Sequence, residues 1–418
     1  MRVQTFTLDA FIDMSPRRFF DLYETQLQAC VSRLVWAYPC LAARRPGLRL
    51  SVSHPKLFHL STIISEYRES LNQTPMSTFA KASFNAATYS AWRPTYPPQL
   101  FEYIFAYHRR GTGSPTHEAR WERAVDLGCG TGQATLQLRP FREVIGIDPS
   151  GGMLETARAS LAKSSLAAAA TRDTSFTFLE GSAEDLSKTI PENENVDLLI
   201  AAQAAHWFDW SKVWPETHRV LRRGGTTAFW VYAEFRLPQF PSLTSIITAY
   251  AQGNDPRTSL GPHFQRPGRT ILERYLVDVP EPEAFVPSGE FTPLKRVYFF
   301  GDEIPSFIPE DRTFQPTFLR KEMRWRDLLG YLRTWSALHN YHEKYPDDLK
   351  ADEDTRFLKE DLATGAEPFD DIRGGDISIR FWKDLREGVN NSEPTELVGI
   401  EDQVVVEWPV ALLLTTKM

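Results

Sequence analysis

The chain has 418 residues, with 47 basic and 54 acidic side chains that give a formal net charge of −7, and 42% of its residues are hydrophobic. Such a chain can form a large domain, or two, around a sizeable core, while its acidic balance argues against non-specific nucleic-acid binding and against a polybasic membrane-surface protein. Apolar runs such as Leu198–Ala202 are too short to cross a bilayer, and three cysteines exclude a disulfide framework or a structural zinc site as the organising principle, which favours a reducing, cytoplasmic setting.

The first 75 residues differ in pattern from the rest of the chain. Apolar positions over 16–36 favour a helix, acidic residues argue against a mitochondrial presequence, and no signal-peptide pattern is present. Two interpretations stay open: residues 1–75 are a helical N-terminal extension, or the functional protein begins at Met76. The family resemblance given below slightly favours the second.

From residue 121 onward, short apolar strands alternate with helical stretches, a pattern that predicts a parallel α/β sheet. Helices are predicted over Gly152–Leu166 and over Trp210–Leu221, the second ending at an Arg-Arg-Gly-Gly stop. Near the end of the chain, Gln403–Trp408 and Val410–Thr415 predict a terminal strand or hairpin. The strands predicted before them are Arg123–Leu127, Glu143–Ile147, Ser175–Leu179, Val196–Ala201 and Thr226–Tyr232.

A glycine-rich motif follows the first predicted strand, with Asp126 before Gly128, Gly130 and Gly132. Alternate glycines let the backbone turn tightly and approach a ligand closely. A dinucleotide fingerprint needs a further glycine where this chain has Gln133, and a P-loop needs a lysine that is absent here. An acid beside the turn suits a cationic ligand, and S-adenosylmethionine carries an ammonium and a sulfonium but no phosphate.

Two further anchors follow the next strands. Asp148 lies 20 residues after Gly128 at the end of the second strand, where a carboxylate can accept hydrogen bonds from both ribose hydroxyls. The polar loop of Ser182, Ala183 and Glu184 follows the third strand and could read the adenine edge. Each signal is common by itself, but their order on successive strand ends favours a cofactor site.

These segments resemble a class I S-adenosylmethionine-dependent methyltransferase and, more narrowly, the fungal trans-aconitate methyltransferase group. The resemblance covers nearly all of 76–345 and rests on STFAKASFNAATYSAWRPTYP, VDLGCGTGQATLQ, AHWFD, LGPHFQRPG and YLRTWSAL. It implies one methyltransferase domain over 76–418 with a Rossmann-like α/β fold: a mostly parallel seven-stranded sheet, an antiparallel terminal strand, and a substrate-capping insertion at 233–345. It gives no account of residues 1–75.

Two stretches depart from the family pattern. The segment from Gly132 to Phe141 is about one helical turn short, so the first helix is expected to be truncated or distorted. Residues 345–400 are acidic and rich in loop-forming residues, and a variable surface is expected there.

The resemblance implies methyl transfer from the sulfonium to an oxygen, most simply the methyl esterification of a small carboxylic acid. A carboxylate is already ionised at neutral pH, so no general base is required. The expected partner is a small-molecule acceptor, without nucleic acid, membrane or metal, and the chain is expected to be a monomer or homodimer. The residues implied to bind the cofactor are Asp126, Gly128, Gly130, Gly132, Asp148, Met153, Ser182, Ala183, Glu184 and Gln203.

Acceptor recognition is expected from aromatic and basic residues in the family-like segments. A bidentate arginine suits a carboxylate, and Arg93 is best placed because the N-terminal segment of such enzymes folds over the cofactor. His206, after the fourth strand, could orient the acceptor, or act as a base toward a hydroxyl or amine. The catalytic candidates are His206, Arg93, Arg269, Trp335 and Tyr89; further aromatic or basic candidates are Trp92, Trp207, Phe208, Arg266 and Arg333.

Other interpretations remain. Each aromatic candidate could pack in the core, and each arginine could form a structural salt bridge. The acceptor could be the oxygen or nitrogen of a fungal secondary metabolite, because a fold does not fix a function. A non-catalytic S-adenosylmethionine-binding protein and an NAD-dependent oxidoreductase are further alternatives, although Gln133 and Asp126 count against the latter.

Overall fold

The computed structural model describes seven ranges: 92–111, 118–164, 174–301, 303–365, 368, 371–392 and 397–418. The predictions on the first 75 residues, the Met76 start and Tyr89 lie outside these ranges. In the part of the chain that is described, no helix is long and apolar enough to cross a membrane.

A mostly parallel sheet of eight strands forms the centre of the fold, in the order β3-β2-β1-β4-β5-β10-β6-β7. Strand β10 is the antiparallel member and pairs with β5 on one side and β6 on the other. The Rossmann-like prediction is confirmed, with a three-residue edge strand, β7, as an eighth member. The strands are β1 Arg123–Leu127, β2 Glu143–Asp148, β3 Ser175–Glu180, β4 Val196–Ala202, β5 Leu221–Tyr232, β6 Lys295–Phe299, β7 Thr313–Gln315 and β10 Val410–Thr416.

Helices cover both faces of the sheet because successive strand residues point to opposite sides. On β4, Leu198 and Ile200 belong to one buried apolar cluster, whereas Leu199 and Ala201 belong to another. The helices are α1 Pro98–Arg110, α2 Gly151–Lys163, α3 Trp210–Val220, α4 Thr244–Gln252, α5 Gly268–Glu273, α6 Trp325–Leu332, α7 Ser336–Lys344, α8 Leu358–Ala363 and α9 Ile377–Ser392.

The strand order reverses at β1, which pairs with β2 on one side and with β4 on the other. Ligands of open α/β sheets bind at such a point, beyond the carboxyl ends of the strands. The segment after β1 contains only a single 3₁₀ turn, Thr135–Gln137, as the expected truncation of the first helix predicts.

The predicted glycine stop after α3 is wrong. Helix α3 ends at Val220, and residues 222–225 form an irregularity within β5, whose pairing with β4 jumps from Leu221 to Thr226. Lys417 Nζ instead donates to His218 O at 2.7 Å and to Leu221 O at 2.9 Å, while the carbonyls of Arg219 and Val220 accept from the amides of Glu194 and Asn195, each at 2.9 Å. A long-range side chain therefore caps the helix, which local sequence does not reveal.

The expectation of a variable, loop-rich surface over 345–400 is wrong for its second half. Helix α9 spans 16 residues and buries Trp382 and Leu385 in the core. Arg386 of this helix forms a buried bidentate pair with Asp361, at 2.7 and 2.8 Å. Some acidic residues in this stretch therefore pair with buried arginines, and others face solvent.

The chain's last strands do not form a hairpin with each other. Strand β9, Gln403–Glu407, pairs with β8, Arg320–Arg324, in a separate two-stranded sheet, whereas β10 enters the main sheet. The predicted insertion over 233–345 also differs from a simple cap, since it supplies β6 and β7 to that sheet.

Candidate active site

The glycine turn after β1 forms a backbone cradle at the switch point. Gly128, Gly130 and Gly132 have φ values of +66°, +53° and +81°, which residues other than glycine rarely adopt. The Gly128 amide donates to Ile147 O at 2.7 Å, so the turn is tied to the end of β2. A Cβ placed on Gly130 would have no atom of the described residues within 4 Å, so among these residues this side of the turn is open to a ligand.

Asp126, one residue before the end of β1, is fully buried behind this turn. Its Oδ2 accepts a hydrogen bond from Thr135 Oγ1 at 2.7 Å, while its Oδ1 is buried with no partner among the residues that the structure describes. Burial raises the pKa of this carboxyl to about 7. A buried acid with one free oxygen is suited to accept a cationic ligand group.

Asp148, the last residue of β2, braces the turn. Its Oδ2 accepts from the Gly130 amide at 2.9 Å and its Oδ1 from the Ser150 amide at 2.8 Å. Burial raises the pKa of this carboxyl, and the two amide hydrogen bonds oppose that rise. Because a carboxylate has about four acceptor positions, two remain for ligand hydroxyls.

The loop after β3 connects to the loop after β4. Ser182 Oγ donates to Glu184, whose Oε1 accepts from the Asp209 amide at 3.1 Å. Ala183 is buried within this loop. Met153, the other predicted cofactor residue nearby, is buried in the first turn of α2 and donates its amide to Ser150 Oγ at 3.4 Å.

Gln203, the first residue after β4, is a brace between two strand ends. Its Nε2 donates to Tyr232 O at 2.8 Å and its Oε1 accepts from the Tyr232 amide at 2.7 Å. Its φ is +57°, a strained value for glutamine of the kind that clusters at functional sites. Gln203 thus lies at the site, but its side-chain amide is committed to the end of β5.

His206 lies in the 3₁₀ turn Ala205–Trp207 after β4. It is 6% exposed, and its Nδ1 is buried without a hydrogen-bond partner in the described part of the chain. Burial, with a smaller contribution from the charge of Arg269, lowers the pKa of the imidazole to about 3. His206 is therefore neutral at physiological pH.

Arg269, in the first turn of α5, is held by acidic residues. Its Nε donates to Glu273 Oε1 at 2.8 Å, and its Nη2 donates to Glu234 Oε1. Its guanidinium carbon lies 3.8 Å from the ring centroid of Phe264. The arginine is 8% exposed, and burial lowers the pKa of its guanidinium.

Arg93 lies between the end of β5 and the α6–α7 junction. Its Nη1 donates to Tyr232 Oη at 3.4 Å, its Nη2 donates to Thr334 O at 3.2 Å, and its guanidinium carbon lies 5.5 Å from the Tyr331 ring centroid. These contacts attach the arginine to polar and aromatic groups close to the glycine turn, because Tyr232 is bonded to Gln203.

Trp335 completes an aromatic group beside Arg93. Its ring centroid lies 6.1 Å from that of Tyr331 and 6.2 Å from that of Phe264, which also lies under Arg269. Its Nε1 is buried and has no hydrogen-bond partner among the described residues. The structure thus joins the predicted Arg93, Trp335 and Arg269 through successive contacts.

The remaining candidates have structural contacts. Trp92 packs against Gly330, where an added Cβ would lie 2.8 Å from the indole, and Phe208 packs against Trp210. Trp207, 38% exposed, is the most accessible of the predicted aromatic residues that are described. Arg266 Nη1 donates to Thr270 at 2.6 Å and to Glu273 at 3.3 Å, and Arg333 Nη1 donates to Asp371 O at 2.5 Å.

Sequence reasoning missed several residues that shape the site. Thr135 fills one oxygen of Asp126, and Glu234 engages Arg269 from the end of β5. Thr135 lies in the family-like VDLGCGTGQATLQ text, whereas no motif marks Glu234. Tyr331 belongs to the family-like YLRTWSAL text, so the resemblance could have identified it.

Residues 125–229 match the family model of a methyltransferase domain. A Saccharomyces cerevisiae protein assigned by name as an S-adenosylmethionine-dependent methyltransferase is 34% identical over 202 residues, which cover 48% of this chain and 62% of that protein. The match thus spans less than two thirds of the yeast relative. A Dictyostelium discoideum protein, by name also assigned as a methyltransferase, is 29% identical over 63% of this chain and 80% of its own length.

A solved structure from Anaeromyxobacter dehalogenans, described as a type II methyltransferase, covers 78% of this chain and 97% of its own, with 22% identity and a TM-score of 0.44. Among the residues that the structure describes, the Asp126 oxygen without a partner and the open side of Gly130 fit a cationic cofactor that approaches the backbone closely. Residues 125–229 thus match a methyltransferase domain, and the sheet order and this donor set agree with that match and with S-adenosylmethionine as the cofactor of such a domain.

Proposed function

We propose that this protein methylates a carboxylate oxygen of a small organic acid, of the kind that trans-aconitate represents. The observation that carries the proposal is the path of contacts from Arg93 to the glycine turn. Arg93 donates to the Tyr232 hydroxyl, the Tyr232 backbone bonds the Gln203 side chain, and the following residue, Ala204, packs against Gly128. Arg93, the proposed carboxylate-binding cation, is thus linked to the glycine turn through Tyr232, Gln203 and Ala204.

Bound S-adenosylmethionine supplies a methyl group on a cationic sulfur. Asp126 would accept its ammonium group, Asp148 its ribose hydroxyls, and the loop of Ser182 to Glu184 would face its adenine. On the acceptor side, Arg93 offers N–H donors to a carboxylate, and the aromatic group around Trp335 excludes water. Because a carboxylate arrives ionised, these residues need only bind and orient it.

The state of His206 favours a carboxylate over a hydroxyl or amine acceptor. A hydroxyl acceptor would have to lose its proton to a nearby base. His206 is buried beside the Arg269 cation, an environment that opposes a second positive charge, and its pKa is about 3. His206 therefore acts as a neutral hydrogen-bonding group rather than as a base.

The proposal is tested with the full-length chain, S-adenosylmethionine and matched acceptors. Trans-aconitate and simple di- and tricarboxylic acids are compared with the alcohols and amines of the same skeletons. Mass spectrometry detects the methyl ester, and S-adenosylhomocysteine release gives the rate. Ester formation from one or more acids, without methylation of the matched alcohols, supports the proposal. Methylation of alcohols or amines alone would overturn the carboxylate assignment and leave the methyltransferase assignment in place.

A further inference from the structure

We propose that Arg269 is a positioning residue, whose ion pairs fix the turn bearing His206 and Trp207, and that it does not bind the acceptor. The inference rests on the proposed function, in which His206 acts as a neutral hydrogen-bonding group. It also separates the role of Arg269 from the role proposed for Arg93, although the sequence treats the two arginines alike.

The charge of Arg269 is used within the protein. The carboxylates of Glu234 and Glu273 accept hydrogen bonds from its Nη2 and Nε, and the Phe264 ring lies 3.8 Å from its guanidinium carbon. The side chains of the two acids are only 11% and 16% exposed, so water screens these pairs weakly. An incoming carboxylate would have to compete with both acids for one buried guanidinium.

The acids have partners of their own. Glu234 Oε2 accepts from Gln252 Nε2 at 3.1 Å, and Glu273 Oε2 accepts from Arg266 Nη1 at 3.3 Å. Two arginines therefore balance two glutamates, and the cluster has no net charge. Its hydrogen bonds join the segment after β5, helix α4 and helix α5 into one unit.

The residue before Arg269 transmits this fixed position to the active-site turn. A Cβ placed on Gly268 would lie 2.7 Å from the Trp207 ring and 3.1 Å from His206 O. The backbone of α5 therefore rests directly on the His206–Trp207 turn, at a place where only glycine fits without displacement. A shift of Arg269 moves the adjacent Gly268, and with it the support of His206.

Replacing Arg269 should therefore act through Glu234. Arg269→Met keeps much of the side-chain volume but leaves the buried Glu234 carboxylate without its cation, which is more damaging than losing both charges. Adding Glu234→Gln removes the uncompensated carboxylate and retains a side chain that can bond Gln252. The double variant is therefore predicted to recover the position of α5 that the single variant loses.

Hydrogen–deuterium exchange with mass spectrometry on the full-length chain tests this. In Arg269→Met, peptides covering 203–209 and 264–273 should exchange about tenfold faster, and in the double variant they should return to within about threefold of the parent. Arg274→Met is the matched control: its pair with Asp278 is similar in sequence spacing but exposed, so it should leave the 203–209 peptide unchanged. If Arg269→Met fails to fold, Arg269→Lys is measured in the same way, with a smaller acceleration expected.

Kinetics with trans-aconitate provide a second readout. A positioning role predicts that Arg269→Met lowers kcat, that Glu234→Gln restores it in the double variant, and that the Kd for S-adenosylmethionine stays within about twofold throughout. Unchanged exchange at 203–209, or a higher KM that Glu234→Gln does not correct, overturns the inference. If the parent chain does not bind S-adenosylmethionine, the proposed function fails instead, and the exchange data still decide the role of Arg269.

Discussion

A Cβ built on Gly128 would lie only 2.5 Å from the Cβ of Ala204. The glycine turn after β1 and the loop after β4 are therefore in direct contact, and this contact joins the cofactor cradle to the turn that carries His206. A side chain at position 128 would separate two halves of one site.

Gly128→Ala and Gly130→Ala should therefore have different effects. Both impose a left-handed backbone on alanine, which costs about 1 kcal/mol. At Gly128 the added methyl also clashes with Ala204, so we expect a loss of about 2–4 kcal/mol of unfolding free energy. An added Cβ at Gly130 meets none of the described residues, so Gly130→Ala should lose only the backbone cost yet weaken S-adenosylmethionine binding at least about tenfold, because the methyl group would occupy the side of the turn that the cofactor approaches. Denaturant unfolding and calorimetry measure the two effects; equal unfolding losses would contradict the Gly128–Ala204 contact.

The raised pKa of Asp126 predicts that cofactor affinity depends on pH. Its carboxyl titrates at about 7 in the folded protein, and only the ionised form pairs with an ammonium. The Kd for S-adenosylmethionine should therefore rise about fivefold between pH 7 and pH 6. Asp126→Asn should bind more weakly with a flat profile over this range, and a parent profile equally flat would show that Asp126 does not contact the cation.

The same titration predicts a stability effect in the ligand-free protein. The pKa of Asp126 is higher in the folded state than its ordinary value of 3.8, so the protonated carboxyl favours folding. This contribution is complete below about pH 4 and is lost as the pH rises through about 7. The unfolding free energy of Asp126→Asn, relative to that of the parent, should therefore be higher at pH 8 than at pH 5. Denaturant unfolding at the two pH values measures this difference.

Asp148 is predicted to hold the cofactor ribose while bracing the glycine turn. Asp148→Ala removes the acceptors of the Gly130 and Ser150 amides and should raise the cofactor Kd at least about tenfold. Asp148→Asn, which keeps one acceptor oxygen, should be intermediate. Unchanged cofactor binding in the alanine variant would remove Asp148 from the binding site.

Arg93 should matter for turnover rather than for cofactor binding. Arg93→Ala removes the cation proposed to hold the acceptor, so kcat/KM should fall about 100-fold or more while the cofactor Kd changes less than about twofold. Arg93→Lys should recover only part of the loss because lysine lacks the planar pair of donors. Arg109→Ala, at an exposed arginine over Trp121, is the control. Full activity in Arg93→Ala would exclude this residue from the acceptor site.

Much of the candidate cofactor site was predictable because its sequence motifs are local. The motif from Asp126 to Gly132 and the strand-end Asp148 occupy sites that the strand pattern already orders along one sheet edge. Hydrophobic alternation placed β1 to β5 within about a residue, apart from the early start of β5 at Leu221. At this position Lys417, about 200 residues away in sequence, caps α3, and the local sequence pattern could not predict that contact.

The candidate acceptor site was less predictable because its residues act in pairs whose members are distant in sequence. Arg93 and Arg269 look alike as candidate carboxylate binders, and nothing in the local sequence shows that Arg269 is bonded to two glutamates, one of them 35 residues away. The acidic stretch before α9 was interpreted as surface because net charge does not show that Arg386 buries one of its carboxylates, Asp361.

The most direct test of the central claim is a calorimetric titration of the purified full-length chain with S-adenosylmethionine, with NAD as the control ligand. The acid at 126 and the open backbone of the glycine turn predict one S-adenosylmethionine per chain with a Kd on the order of micromolar, and no binding of NAD. Binding of NAD, or no binding of S-adenosylmethionine, would contradict the account of this site.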